Sequence, residues 1–276
     1  MGAAPGAAGP WAGTVGRKEP SPCPKGAEMA KQRPKISAQD FEVFSQRFRK
    51  RYILKKKVNA LLCLFIALWG TAAVIYSHFV LGHDLFDRLR YMTYWGTVFT
   101  TIVSYIFAVV CMREASRETE VTTKWVYFLR LSSATTEFVI FAVVMFGLTP
   151  WVPDRPDISS FPGAVMHLLV PFTTVASFLL NDPPRGKPKA AEPLRGMIFI
   201  ALYAVIMTYC FATGTIPSSK APYSFLDFEK TSLPFKMACL AGILCVGYGV
   251  SWLLMRLNMK LSWVWFRDLK RRKKKG

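Results

Sequence analysis

The sequence predicts an all-α polytopic membrane protein with six transmembrane helices and both termini cytoplasmic, and three observations carry that reading. Of its 276 residues, 52% are hydrophobic and only 19% are charged, with a mean hydropathy of +0.25, which is more apolar than a soluble domain sustains. Six nearly uncharged runs approach the roughly 20 residues needed to cross about 30 Å of hydrocarbon. The net charge of +19 gathers at the chain ends: residues 1–57 carry 13 basic and 4 acidic side chains, residues 256–276 carry 9 and 1, and the 198 residues between them carry 14 and 12. An even number of spans puts both termini on one side, and the basic ends assign that side to the cytoplasm. The same numbers argue against a disulfide-stapled secreted module, a disordered chain and a nucleic-acid binder.

The chain opens with residues 1–36, rich in Pro, Gly and Ala, which read as a disordered basic tail. Residues 37–57 follow as a basic amphipathic helix on the inner leaflet, started by Ser37 with Asp40 three residues on and carrying Phe41, Phe44, Phe48 and Tyr52 on one face. No apolar run precedes Val58, so the first span is expected to direct membrane insertion.

The six-span domain covers residues 58–255, with spans at Val58–Val80, Tyr91–Met112, Tyr127–Leu148, Phe161–Leu180, Met197–Thr213 and Phe235–Met255. The fifth is short. Residues 256–276 form a polybasic cytoplasmic tail that suits anionic inner-leaflet lipid, and Lys273 with Lys274 occupies the position of a dilysine endoplasmic reticulum retrieval signal. The six cysteines lack the paired spacing of a metal site, and no metal, disulfide or cofactor is expected. Cys111, at the inner end of span two, is a candidate for palmitoylation.

Soluble-enzyme motifs are absent: there is no G-x-S-x-G elbow, Walker loop, G-x-G-x-x-G or H-E-x-x-H. Chemistry must therefore come from polar groups inside the spans, where they are costly and tend to face the bundle interior. Span two carries Thr93, Thr97, Thr100, Thr101 and Ser104 at offsets that share one helical face. Span three carries Ser132, Ser133, Thr136 and the deep carboxyl of Glu137, which needs a proton or a partner such as Arg130. Span four carries His167, Thr174 and Ser177 around Pro171, and the loop before span six carries Tyr223 and Asp227.

A hydroxyl becomes a good nucleophile only when a base takes its proton, so Thr with His is a sensible minimum for covalent acyl chemistry. Helical rise places Thr93 about 3 Å and His167 roughly 7 Å below the outer face, less than one turn apart. That depth suits an ester whose chains lie in lipid while water reaches the carbonyl.

Arg90-Tyr-Met-Thr93-Tyr-Trp95, Met166-His167-Leu-Leu-Val-Pro171 and Tyr223-Ser-Phe-Leu-Asp227 resemble motifs of the androgen-induced gene and androgen-dependent TFPI-regulating protein family. Related bacterial six-span proteins of unassigned function share the pattern. The resemblance covers roughly residues 58–255. It implies a multi-pass membrane hydrolase of fatty acid esters of hydroxy fatty acids, with Thr93 as nucleophile and His167 as base. One spacing departs: three residues separate His167 from Pro171 where the family pattern has four, and one residue turns a helix by about 100°.

Two functions follow. The first is an intramembrane hydrolase of lipid esters, in the endoplasmic reticulum, with membrane lipids and a lipid ester as its partners. The alternative is a non-catalytic transporter, channel or lipid-binding scaffold in which Glu137 and the hydroxyl stripe line a polar path.

Overall fold

The computed structural model describes residues 38–82, 85–88, 90–118, 122–148, 158–183, 189–217, 221 and 232–273. Every regular element among them is helical, with no strand. The chain divides into two units, Met1–Gln46 and Arg47–Gly276. In the first, only a helical backbone from Ala38 is described, so the expected tail and the aromatic face of Phe41 and Phe44 lie outside the described residues and side chains.

The helices are α1 (Ala38–Phe79), α2 (Leu85–Arg88), α3 (Met92–Arg117), α4 (Lys124–Ala142), α5 (Phe161–Ala164), α6 (Val170–Leu179), α7 (Glu192–Gly196), α8 (Ile198–Ala212) and α9 (Leu233–Lys273). Two π-helical segments extend or join them, Val143–Leu148 after α4 and Val165–Leu169 between α5 and α6. α1 runs without a break through the expected boundary at residues 57 and 58.

Five of the six expected spans are helices long and apolar enough to cross a membrane: Arg49–Phe79, Met92–Arg117, Lys124–Phe146, Phe161–Leu179 and Leu233–Ser262. The remaining one, α8, has 15 residues, about 22 Å against a hydrocarbon core of about 30 Å. It is preceded by the short α7, and the two meet at Met197, whose ψ of −3° departs from helical geometry. Pro193 opens α7, and Gly196 closes it against Ser251 and Leu131, where a Cβ would collide with the Ser251 hydroxyl.

α1 runs antiparallel to α6, and α8 to α3. Asn59 on α1 meets Asn181 just after α6, Cys63 meets Ser177, and Tyr76 meets Phe161 at the other end. On α8 the Phe199 ring stacks on Phe99 of α3 at 4.2 Å, and Tyr203 Oη donates to the carbonyl of Arg90 at 2.6 Å, so α8 climbs as α3 descends.

A polar knot ties one end of the bundle. Lys56 Nζ is 2.5 Å from Glu114 and 2.9 Å from Asp182, Lys55 is 2.6 Å from Asp182, and the Thr122 amide and hydroxyl each donate to Glu114 at 2.6 Å. Asn258 on α9 donates to the carbonyls of Phe178, Leu179 and Asn181 and accepts from Tyr127. α1, α3, α4, α6 and α9 therefore share this end. The apolar packing beside it comprises Ala60, Cys63, Phe107, Ala108 and Cys111 on one side, and Tyr127, Phe128, Leu131, Phe178 and Leu254 on the other.

Candidate functional site

At the opposite end of the bundle α3 begins after Tyr91, whose extended backbone starts the helix without a side-chain cap. Thr93 sits in its first turn, half-buried, and its hydroxyl makes no hydrogen bond to a described residue. It lines a cavity of about 130 Å³ enclosed by α3, α4 with its π-helical extension, α8 and α9. Met92, Val139, Ile140, Val144 and Met207 give it an almost wholly apolar wall, and Thr93, Thr208 and Lys236 are among its few polar neighbours.

His167 is buried at the centre of the π-helical turn Val165–Leu169. Pro171 explains the wide turn. In an α-helix its amide would donate to the carbonyl of His167, but proline has no N–H, and the local register opens so that the Val170 amide reaches the carbonyl of Val165, five residues back. The imidazole Nδ1 is buried without a hydrogen-bond partner.

The structure does not join Thr93 to His167. They share no hydrogen bond, and His167 is not in the wall of the cavity that Thr93 lines. The reason is azimuth rather than depth. Tyr94, one residue and about 100° further round α3, takes the face towards the π-helical turn and packs with Val165, Met166, Ile66 and Ala73. Thr93 is thereby turned towards α8 and α9.

The rest of the hydroxyl stripe is interior, as its spacing predicts: Thr97, Thr100, Thr101 and Ser104 are buried, with Ser132, Ser133, Thr136 and Glu137 facing inward from α4. Arg130 is buried too, donating to Ser104 at 2.8 Å with its guanidinium over the Phe107 ring, and it forms no ion pair with Glu137. Thr174 and Ser177 are buried on α6.

Tyr223 and Asp227 lie outside the described residues. Among the described residues there is no group of three side chains fit to hold a metal ion, and Cys63, Cys111, Cys210, Cys239 and Cys245 are free thiols.

Sequence reasoning missed the polar knot. Lys56 sits in the run Lys55-Lys56-Lys57, which closes the stretch expected to lie on the inner leaflet. The available signal was the set of Asn59, Asn181 and Asn258 at three span ends, amides that need partners when buried. No family model matches the chain, and neither a curated protein nor a solved structure matches it.

Proposed function

We propose that the protein is a six-span membrane hydrolase of lipid esters, fatty acid esters of hydroxy fatty acids or similar, with Thr93 as nucleophile and His167 as base. The observation that carries this reading is the place of Thr93, a hydroxyl with no hydrogen bond to a described residue in the wall of an apolar cavity suited to an acyl chain. The unpartnered Nδ1 of His167 supplies a ring nitrogen for proton transfer. Because the two groups are apart, their hydrogen bond has to form in the substrate complex, as catalytic contacts often do.

The transfer is that of an acyl enzyme. Thr93 Oγ1 bonds to the ester carbonyl carbon as the imidazole takes its proton, the alcohol leaves with that proton, and water then releases the fatty acid. The resemblance to the androgen-induced gene family in the segments around Thr93 and His167 supports the same assignment.

The topology is supported by the knot: α1 enters and α9 leaves at the same end of the bundle, which requires an even number of crossings. α7 and α8 together cover Glu192–Ala212, long enough to make the sixth. The knot end carries Lys55, Lys56, Arg113, Arg117 and Lys124 and is the cytoplasmic one, with endoplasmic reticulum residence read from Lys273 and Lys274 and with anionic lipid as partner of the basic ends.

A lipid-binding scaffold would use the same cavity without chemistry, and one experiment separates the two. Purified protein in detergent is given lipid esters, and wild type is compared with Thr93→Ala and His167→Ala folded to the same extent. Hydrolysis that both substitutions abolish supports the enzyme. Hydrolysis unchanged in Thr93→Ala overturns it.

A further inference from the structure

Between α3 and α4 runs a polar seam that the hydrolase reading does not use. Gly96, Thr100 and Ser104 lie one turn apart on α3, and Glu137, Ser133 and Arg130 oppose them from one face of α4. Arg130 Nη1 donates to Ser104 Oγ at 2.8 Å, Ser133 Oγ donates to Thr100 Oγ1 at 3.2 Å, and the Glu137 carboxyl lies against Gly96 and Thr100. Gly96 lets α4 come this close, since a Cβ there would run into Ile140 and Thr136. Arg130, Ser133, Glu137, Thr100 and Ser104 are each 0% exposed.

This burial leaves unmet demand. Nε and Nη2 of Arg130 and the hydroxyls of Thr97 and Thr136 have no hydrogen-bond partner, and the two oxygens of Glu137 have no neighbour to satisfy them beyond the Thr100 hydroxyl, which Ser133 also engages. Polar atoms left so in a membrane interior are costly and are met by water or by a proton. Arg130 and Glu137 stand seven residues apart, about 10 Å along α4, so the guanidinium cannot satisfy the carboxylate directly. The step between them is filled by Ser133 and Thr100, and a hydroxyl both donates and accepts.

The seam also has an outer end. Ile140, one turn beyond Glu137, is both a neighbour of Gly96 and part of the wall of the outer cavity, while Thr97 lies one turn below Thr93. We propose that the seam is a proton-exchange site, in which Glu137 takes up and releases a proton through the hydroxyls of Thr97, Thr100 and Ser133 and intervening water, in communication with the outer cavity. Uptake makes an O–H bond on the carboxylate and breaks one on the adjacent water or hydroxyl, which is reprotonated from the cavity side. No electrons change hands. Arg130 is the fixed cation whose field reaches Glu137. The helices and turn packed on α4 also carry Glu114, His167, Glu192, Arg195, Lys236 and Arg256, none of which hydrogen-bonds to or ion-pairs with Glu137.

The test is infrared difference spectroscopy on the full chain in lipid nanodiscs. A carboxyl C=O band that changes with pH between about 4 and 10, shifts in D2O and disappears in Glu137→Gln is the expected result. Glu137→Asp should move the band rather than remove it, which guards against a fold lost in Glu137→Gln. Thr100→Val should slow its hydrogen–deuterium exchange several-fold. Thr93→Ala should leave the band in place, so loss of hydrolysis and loss of proton exchange are separate outcomes. A Glu137 band insensitive to pH over that range, or exchange in Thr100→Val at the wild-type rate, overturns the proposal.

Discussion

Lys56 Nζ on α1 stands 2.5 Å from the Glu114 carboxylate on α3, with the two side chains 2% and 0% exposed. Such a pair is not evidence of great net stability, because both ions were taken out of water to make it. Its importance is that neither member tolerates the loss of the other. Lys56 also holds Asp182, and Glu114 also receives Thr122, so one ammonium closes the joint between α1, α3 and the segment after α6.

Lys56→Ala therefore leaves two acidic groups without their cation and should cost roughly 3–5 kcal/mol. Lys57→Ala, one residue on and exposed, should change stability by less than about 0.5 kcal/mol. Thermal unfolding of both variants in the same detergent, followed by loss of the monodisperse species, checks the contrast. Equal losses would show that Lys56 is held no more tightly than its neighbour.

Asp182 gives the knot a pH dependence. Burial alone would raise its carboxyl, but the Lys56 and Lys55 ammonium groups beside it win and hold it below its ordinary value of 3.8. A carboxyl depressed in the folded state contributes stability that is fully present above its unfolded pKa and is lost as pH falls through the folded one. Wild type should thus lose stability on acidification below about pH 4. Asp182→Asn should be less stable at neutral pH and show a flatter acid limb. Unfolding midpoints across that pH range measure both.

The bundle is legible because hydropathy and length are sequence properties, and five of the six expected spans are long and apolar enough to cross a membrane. The fifth, expected to be short at Met197–Thr213, is the unbroken but short α8, and the separate α7 just before it, with Pro193 at its start and Gly196 packed on Ser251, is what no hydropathy average carries. The hydroxyl stripe was legible because its residues repeat with helical spacing. Lys56 was not, since Lys55, Lys56 and Lys57 point about 100° apart around α1 and only packing decides which one faces inward. The same limit applies to the site. Depth along a helix follows from residue count, so Thr93 and His167 were placed at similar levels, but azimuth depends on Tyr94 claiming the face towards the π-helical turn.

Gly96 sets the distance between α3 and α4. Gly96→Ala places a Cβ against the Ile140 and Thr136 side chains, and the helices must separate or those side chains must move. A cost of about 1–3 kcal/mol is expected for such overpacking. Gly249→Ala on α9, where a Cβ meets open space, should be neutral or slightly stabilising in the helix. Comparing the two unfolding midpoints tests whether the close approach, and not glycine content, holds the seam together.

Pro171 shapes the surroundings of His167. Pro171→Ala restores an amide that can donate to the His167 carbonyl, so the π-helical turn Val165–Leu169 should tighten to α-helical register and rotate the imidazole relative to α3. Removing a proline from this position also adds an ordinary helix hydrogen bond, so the variant should fold at least as well as wild type. Its signature is local: the ring resonances of isotope-labelled His167 should move while those of His78, on α1, stay in place. If Thr93 and His167 act together in ester hydrolysis, the same variant should change the rate without a matching change in stability. An unmoved His167 resonance in Pro171→Ala would show that the wide turn is held by packing against Tyr94 rather than by the missing amide.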